Sequence, residues 1–185
     1  MKNTILLVDD EANVLSALQR ALFEEPYEVL TATSGEDGLK QLISNRVKVI
    51  ISDERMPGMD GSVFLSAVRE KYPETVRIML TGHASLESAM KAVNSGEIYR
   101  FFTKPWQELD LKMAISSAIE KFDLEAENRR LLRTIRHQAV EIKILESQFP
   151  GISRLDKDKS GHFVLPDISE NELAVIVNEC EKKYH

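Results

Sequence analysis

The residues best suited to chemistry in this sequence follow short apolar runs. Asp9 and Asp10 follow the first run, Asp53 the third, Thr81 the fourth and Lys104 the fifth. Crowded carboxylates repel one another unless a cation neutralises them, and a hard ion such as Mg²⁺ suits such an all-oxygen set. A lysine ammonium can contact a phosphate, and a carboxylate can act as nucleophile in phosphoryl transfer. Together these residue types predict an aspartate that accepts a phosphoryl group.

Each of these residues also has a simpler explanation when it is considered alone. Asp9 and Asp10 could cap the helix that follows them, and Asp53 could begin a turn. Thr81 could be a strand-end hydroxyl and Lys104 a solvated surface charge. Their joint occurrence, each at the same end of a different strand, favours a shared site.

The elements that must position these residues alternate along residues 4 to 122. Apolar runs predict strands, and the segments between them have helical spacing; the predicted strands are Ile5–Val8, Glu28–Ala32, Val47–Ile51, Val76–Leu80 and Tyr99–Phe102, with helices near 11–23, 35–45, 62–71, 85–95 and from 106 onward. This alternation predicts a doubly wound, flavodoxin-like α/β domain over residues 1–122 with a parallel five-stranded sheet. In the strand order 2-1-3-4-5, the carboxyl ends of strands one, three, four and five would bring the site residues together.

A second segment, residues 123–149, has a heptad pattern continuous with the fifth helix. Its a and d positions, spaced alternately 4 and 3 residues apart, are Leu124, Asn128, Leu131, Ile135, Gln138, Ile142, Leu145 and Phe149. This pattern favours a parallel two-stranded coiled coil, and hence a homodimer through residues 124–149. The alternative is one long helix that packs on its own chain. Three apolar residues outside the seam formed by the a and d positions support this alternative: Leu132, Val140 and Ile144.

Residues 150–185 are predicted to form a small module with a β-hairpin followed by a helix. The turn lies at Asp158–Gly161, and Ser169 with Glu172 forms a capping box for the helix. The stretch from Asp156 to Asp167 also resembles the start of a calcium-binding loop. Pro166 beside its last position and Asp in place of Glu favour a polar β-turn instead.

Composition limits the classes of function. The single cysteine, Cys180, excludes an intrachain disulfide, and no stretch approaches the roughly 18 uninterrupted apolar residues of a membrane span. We therefore expect a cytoplasmic protein without membrane contact. The net charge of −6 does not favour nucleic acid as a partner. A basic cluster on the heptad helix falls at outer positions and is interpreted as a solvated face: Arg129, Arg130, Arg133 and Arg136.

Four stretches resemble the receiver domain of bacterial response regulators, the phosphoacceptors of two-component systems. They are ILLVDDE (5–11), DERMPGMDG (53–61), LTG (80–82) and FFTKP (101–105), and the resemblance covers about residues 2 to 122. It implies that Asp53 accepts a phosphoryl group from a sensor histidine kinase or phosphotransfer protein. Thr81 and Lys104 would contact that group.

The same resemblance implies a metal site and a switch. Mg²⁺ would be bound by Asp10, Asp53 and the backbone carbonyl of Arg55, with Asp9 helping through water. Phe101 would be a rotamer switch coupled to Thr81. The peptide bond before Pro105 would be cis. Phosphorylation would then shift the conformation of the surface around the fourth helix and fifth strand.

Two other functions compete with a phosphorylated switch that catalyses only its own phosphorylation and dephosphorylation. One is a Mg²⁺-dependent phosphohydrolase with an aspartyl-phosphate intermediate, resembling the haloacid-dehalogenase-like group. That group requires a second Asp two residues after its nucleophile, where this chain has Arg55 after Asp53 and Glu11 after Asp9. The other is a scaffold that is never phosphorylated. The cognate kinase, the downstream target and the presence of a further effector domain do not follow from the sequence.

Overall fold

The computed structural model describes residues 3–82, 86–94 and 96–149, and, further on, residues 156–157, 163–164, 169, 171, 174–175 and 177–178. Strands and helices alternate through most of the described chain. In chain order they are β1 (Asn3–Val8), α1 (Ala12–Ala21), β2 (Tyr27–Ala32), α2 (Gly35–Ser44), β3 (Val49–Asp53), α3 (Gly61–Lys71), β4 (Val76–Thr81), α4 (Leu86–Asn94), β5 (Arg100–Thr103), α5 (Glu108–Gln148), β6 (Asp156–Lys157) and β7 (Phe163–Val164).

The first five strands form one parallel sheet in the order β2-β1-β3-β4-β5. This confirms the predicted doubly wound fold and its strand order. The central strands β1 and β3 are almost wholly buried, as expected for parallel strands covered by helices on both faces.

Alternate residues of each strand supply two separate apolar cores. Ile5 and Leu7 of β1 point to the core that also contains the buried residues of α1 and α5. Leu6 and Val8 point to the opposite core, with apolar residues of α2 and α3. The period of two in a strand places neighbouring side chains on opposite faces, so a continuous apolar run serves both layers.

The third strand begins and ends two residues later than the apolar run predicts. The prediction was Val47–Ile51, whereas β3 spans Val49–Asp53. Val47 is buried, with 3% of its surface exposed, but it precedes the strand. At the other end, Asp53 pairs with Leu80 of β4. The pairing with β4 therefore extends the strand through the acidic residue.

The fifth helix spans 41 residues, which confirms that it continues past the sheet domain. Its buried face consists of the residues that the periodicity predicts: Leu111, Ala114, Ile115, Ala118, Ile119 and Phe122. Just after this face, Lys48 Nζ contacts both carboxylate oxygens of Asp123, at 2.6 and 2.7 Å, and Asn3 Oδ1 at 2.8 Å. These contacts anchor α5 to the start of the sheet.

By Cα proximity, the chain divides into two compact units, Met1–Arg129 and Arg130–His185. In the second unit, β6 pairs with β7 in antiparallel orientation, which confirms a hairpin. Its turn, the calcium-loop alternative and Glu172 of the capping box lie outside the described residues. Residues 171, 174–175 and 177–178 have helical backbone. Among the described residues, no helix is both long and apolar enough to cross a membrane.

Candidate functional site

The carboxyl ends of four strands place the predicted site residues at one edge of the sheet. Asp9 follows β1, Asp53 ends β3, Thr81 ends β4 and Lys104 follows β5. The register pairs Thr81 with Thr103, and the backbone N–H of Lys104 donates to the Thr81 carbonyl at 2.8 Å. Residues as far apart in sequence as Asp9 and Lys104 thus reach the same edge, because the parallel register aligns the strand ends.

Lys104 joins two of the three carboxylates. Its Nζ lies 2.5 Å from Asp53 Oδ1 and 2.8 Å from Asp9 Oδ2. The side chain of Asp9 has no exposed surface and that of Asp53 retains 10%, whereas the Lys104 side chain retains 23%. The ammonium is therefore a shared counter-charge for two carboxylates held almost out of solvent.

The remaining oxygen of each carboxylate accepts a backbone hydrogen bond. The Glu11 N–H donates to Asp9 Oδ1 at 2.9 Å, and the Arg55 N–H donates to Asp53 Oδ2 at 3.0 Å. Both bonds run from residue i+2 to the Asp side chain, the local turn that Asp favours. Asp53 therefore both begins a turn and belongs to the site. The N-cap residue of α1 is Glu11, not Asp9 or Asp10.

Burial and charge act in opposite directions on this cluster. Burial raises the pKa of the Asp9 carboxyl, an effect that the Lys104 hydrogen bond opposes and the nearby Asp53 charge reinforces. For Lys104, burial is the largest single influence and lowers the pKa. The hydrogen bonds and charges of Asp53 and Asp9 together outweigh it, so the Lys104 pKa is raised. Lys104 is accordingly a cation at neutral pH.

The third carboxylate, Asp10, is exposed. Among the residues that the structure describes, no three His, Cys, Asp or Glu side chains are arranged as a metal site. Mg²⁺ does not need such a cage, because it binds through one or two carboxylates and keeps several waters. An exposed Asp10 next to the Asp9–Asp53 pair, which shares the Lys104 ammonium, is compatible with that requirement. The donor set therefore fits Mg²⁺ better than a metal that needs three or four protein side chains.

Thr81 is fully buried and its hydroxyl contacts a residue to which the sequence analysis assigned no role. Thr81 Oγ1 lies 2.6 Å from Glu54 Oε2 and 3.0 Å from the Gly82 carbonyl oxygen. Glu54 directly follows Asp53 in the sequence, but it is 27 residues away from Thr81. Only the pairing of β3 with β4 reveals the contact.

Gly61 supports the site by close packing of backbone against backbone. A Cβ atom at this position would lie 1.8 Å from the carbonyl oxygen of Asp53 and 3.0 Å from the Glu54 Cα. The Gly61 N–H also donates to the Glu54 carbonyl at 2.8 Å. The first residue of α3 must therefore lack a side chain, which explains the glycine that ends the DERMPGMDG stretch.

Two aromatic residues in or just after β5 pack against the two cores of the sheet. Phe101 is partly buried against the core on the α2–α3 face of the sheet, and Trp106 is partly buried against the opposite core. The Lys104–Pro105 peptide is cis, as the resemblance implied.

Comparison with known proteins defines the class of this domain. Residues 5–116 match the family model of the response regulator receiver domain. The hydrogenase transcriptional regulatory protein HoxA of Cupriavidus necator is 37% identical over 145 residues, which are 78% of this chain and 30% of HoxA. The chain belongs to the response regulator receiver family, the phosphorylation-controlled receivers of two-component signalling.

Solved structures agree with this membership. A chain described as adenylate cyclase from Rhodopirellula baltica has a TM-score of 0.69 and 40% identity, and the match covers 72% of this chain and 98% of that one. A response regulator receiver domain protein from Clostridium thermocellum has a TM-score of 0.62 and 34% identity, covering 66% and 98%. The chain spans about a third of the length of the curated relatives it matches.

Proposed function

We propose that Asp53 is the phosphoacceptor and takes its phosphoryl group from a sensor histidine kinase or a phosphotransfer protein. The observation that carries this proposal is the position of its carboxylate, with one oxygen on the Lys104 ammonium and the other on the Arg55 N–H. An Asp53 oxygen would attack the phosphorus of a phosphohistidine. The P–N bond would break as the new P–O bond forms, leaving an aspartyl phosphate.

Lys104 and Thr81 are proposed to stabilise the charge that spreads over the phosphoryl oxygens during transfer. Lys104 already contacts Asp53, so its ammonium needs no long movement to reach an oxygen attached there. Donors aimed at developing charge in a shielded site contribute strongly to rate. Thr81 would contribute its hydroxyl once its present hydrogen bond to Glu54 is broken.

The proposed cofactor is Mg²⁺, bound by Asp10, Asp53 and the carbonyl of Arg55, with Asp9 acting through water. When bound, the ion would offset the negative charge that develops on the phosphoryl oxygens during transfer. The protein's own part is to supply oxygen donors on two adjoining loops, after β1 and after β3. The fully buried Asp9 holds Lys104 in place between the carboxylates.

The signal is proposed to pass through Thr81 and Phe101. A phosphoryl oxygen that accepts the Thr81 hydroxyl would draw Thr81 inward, and the Phe101 ring would turn into the released space. This shifts the population of conformers at the surface of α4 and β5 rather than creating a new fold. Phe101 already packs against one core of the sheet, so a change of its rotamer changes that packing.

The output is proposed to involve a homodimer through residues 124–149. In the single chain, five apolar seam residues are exposed by 42% to 65%: Leu124, Leu131, Ile135, Ile142 and Leu145. Burying such a stripe against a second copy would remove apolar surface from water. The apolar residues outside the seam, Leu132, Val140 and Ile144, are equally exposed. The molar mass in solution therefore distinguishes a coiled-coil dimer from a helix that packs on its own chain. We propose no contact with nucleic acid or membrane, and a cytoplasmic location is supported by the single cysteine.

Covalent labelling tests the phosphoacceptor. The chain is incubated with Mg²⁺ and acetyl phosphate, a small-molecule phosphodonor, and the modified residue is located by mass spectrometry after trapping. We expect one phosphoryl group on Asp53 and none on Asp53→Asn. Asp37→Asn, the same change in a surface ion pair with Lys40, should be labelled normally. Labelling of Asp53→Asn at the wild-type level would contradict the assignment, and catalytic turnover of phosphomonoesters would favour a phosphohydrolase.

Light scattering tests the output. The molar mass is measured with Mg²⁺, before and after beryllofluoride is added as a phosphoryl mimic. A dimer in both states would mean that phosphorylation rearranges an existing pair, and a dimer only with the mimic would make dimerisation the output. A monomer throughout would refute the coiled coil.

A further inference from the structure

The hydroxyl of Thr81 has one proton and therefore donates one strong hydrogen bond. Among the described residues, its two acceptors are the Glu54 carboxylate at 2.6 Å and the Gly82 carbonyl at 3.0 Å. The carboxylate is nearer and charged, and hydrogen bonds to charged acceptors are shorter and stronger. In this conformation the hydroxyl that the phosphoryl group needs is therefore bound to Glu54.

The position of Glu54 is set by backbone contacts on both sides. Its N–H donates to the Leu80 carbonyl at 2.9 Å, and its own carbonyl accepts from the Gly61 N–H at 2.8 Å. Leu80 immediately precedes Thr81, so the first bond places the two side chains at neighbouring strand ends. Glu54 is only partly exposed. Its contact with Thr81 thus follows from the sheet and not from a freely moving surface chain.

We propose that Glu54 is a positioning residue that holds the Thr81 hydroxyl in the unphosphorylated protein and competes with the phosphoryl group for it. This inference rests on the proposed phosphorylation of Asp53. A phosphoryl group adds about 1.5 to 2 negative charges at neutral pH, on the residue next to Glu54. The new charge would repel the Glu54 carboxylate and offer Thr81 a competing acceptor. Release of Thr81 from Glu54 is then part of the switch, and its free-energy cost lowers the affinity of the site for a phosphoryl group or its mimic.

The test is the affinity for beryllofluoride at saturating Mg²⁺, followed by the fluorescence of Trp106, the one tryptophan in the chain. Glu54→Gln keeps the size of the side chain and removes its charge. We expect Glu54→Gln to bind the mimic about tenfold more tightly than wild type. A tenfold change in affinity corresponds to about 1.4 kcal/mol. This is of the order of the difference in strength between a hydrogen bond to a charged acceptor and one to a neutral acceptor. Glu36→Gln, which removes the same charge from an exposed side chain of α2, should stay within twofold of wild type.

A double-mutant cycle separates positioning of Thr81 from a general charge effect. In a Thr81→Ala background there is no hydroxyl to hold, so Glu54→Gln should change the affinity less than twofold. A tenfold gain that persists in that background would overturn the proposal, as would unchanged or weaker binding by Glu54→Gln or an equal gain in Glu36→Gln. Glu54→Ala provides a second variant and should also bind more tightly than wild type.

Failure of this inference is distinguishable from failure of the proposed function. If Asp53 is not a phosphoacceptor, wild type itself binds no mimic and takes no label from acetyl phosphate. If only the role of Glu54 is wrong, wild type binds the mimic and is labelled, and Glu54→Gln gives one of the contrary results named above.

Discussion

Replacing Gly61 with alanine should damage the site and the fold together. The added Cβ would lie 1.8 Å from the Asp53 carbonyl oxygen, whereas ordinary van der Waals contact of a Cβ atom begins at 3.4 Å. Relief requires α3 and the end of β3 to separate by well over an ångström, although the Gly61–Glu54 and Glu54–Leu80 backbone bonds hold them together. Overpacking typically costs about 1 to 3 kcal/mol. Because backbone rather than a flexible side chain must move, we expect about 3 kcal/mol.

Urea unfolding measures this loss. The transition is followed by Trp106 fluorescence, which reports on the unit that contains the sheet, and by far-UV circular dichroism. With an m-value of about 2 kcal/mol/M, a loss of about 3 kcal/mol lowers the midpoint by roughly 1.5 M. The displaced Asp53 backbone should also weaken beryllofluoride binding in the fraction that remains folded.

Gly82→Ala is the matched control for stability. Gly82 lies at the same edge of the sheet and has a φ outside the left-handed region, and no atom of the described residues lies within 4 Å of the added Cβ. Its free energy of unfolding should stay within about 0.5 kcal/mol of wild type. If Gly61→Ala and Gly82→Ala unfold at the same urea concentration, the close approach of α3 to Asp53 does not exist as described.

Three further predictions concern the anchor of α5, the dimer and the site cation. Lys48→Met removes the ion pair with Asp123, in which the lysine side chain is 11% exposed and the aspartate side chain 54%. Because solvent screens the exposed partner, we expect the free energy of unfolding to fall by about 1 kcal/mol. An equal loss for Lys40→Met, whose side chain is 75% exposed, would contradict this expectation. Ile135→Asp should halve the molar mass in light scattering if the coiled coil forms, whereas Val140→Asp, outside the seam, should not. Lys104→Ala should slow labelling by acetyl phosphate about 100-fold, the scale for loss of one charge-stabilising donor. A rate within twofold of wild type would remove Lys104 from the mechanism.

Much of the fold follows from local pattern. Short apolar runs alternate with segments of helical spacing, and the right-handed connection of parallel strands leaves few arrangements. The buried face of α5 was predictable residue by residue because 3.6-residue periodicity depends only on neighbours in sequence. The start of β3 was not predictable in this way, because Val47, which precedes the strand, is as apolar as the strand residues. Hydrogen-bond pairing with β4, not hydrophobicity, decides that Asp53 is the last strand residue.

The sequence by itself determined the class of the site, because its carboxylates, hydroxyl and lysine each stand at the end of a predicted strand. Only the tertiary structure decided how they pair: Lys104 joins Asp9 and Asp53 while Asp10 stays exposed. It also decided that Glu54 holds Thr81 and that α3 touches the Asp53 backbone at Gly61. Residue types and periodicity are local properties, whereas these contacts join residues 8 to 95 positions apart. Their distances depend on the register of several strands at once.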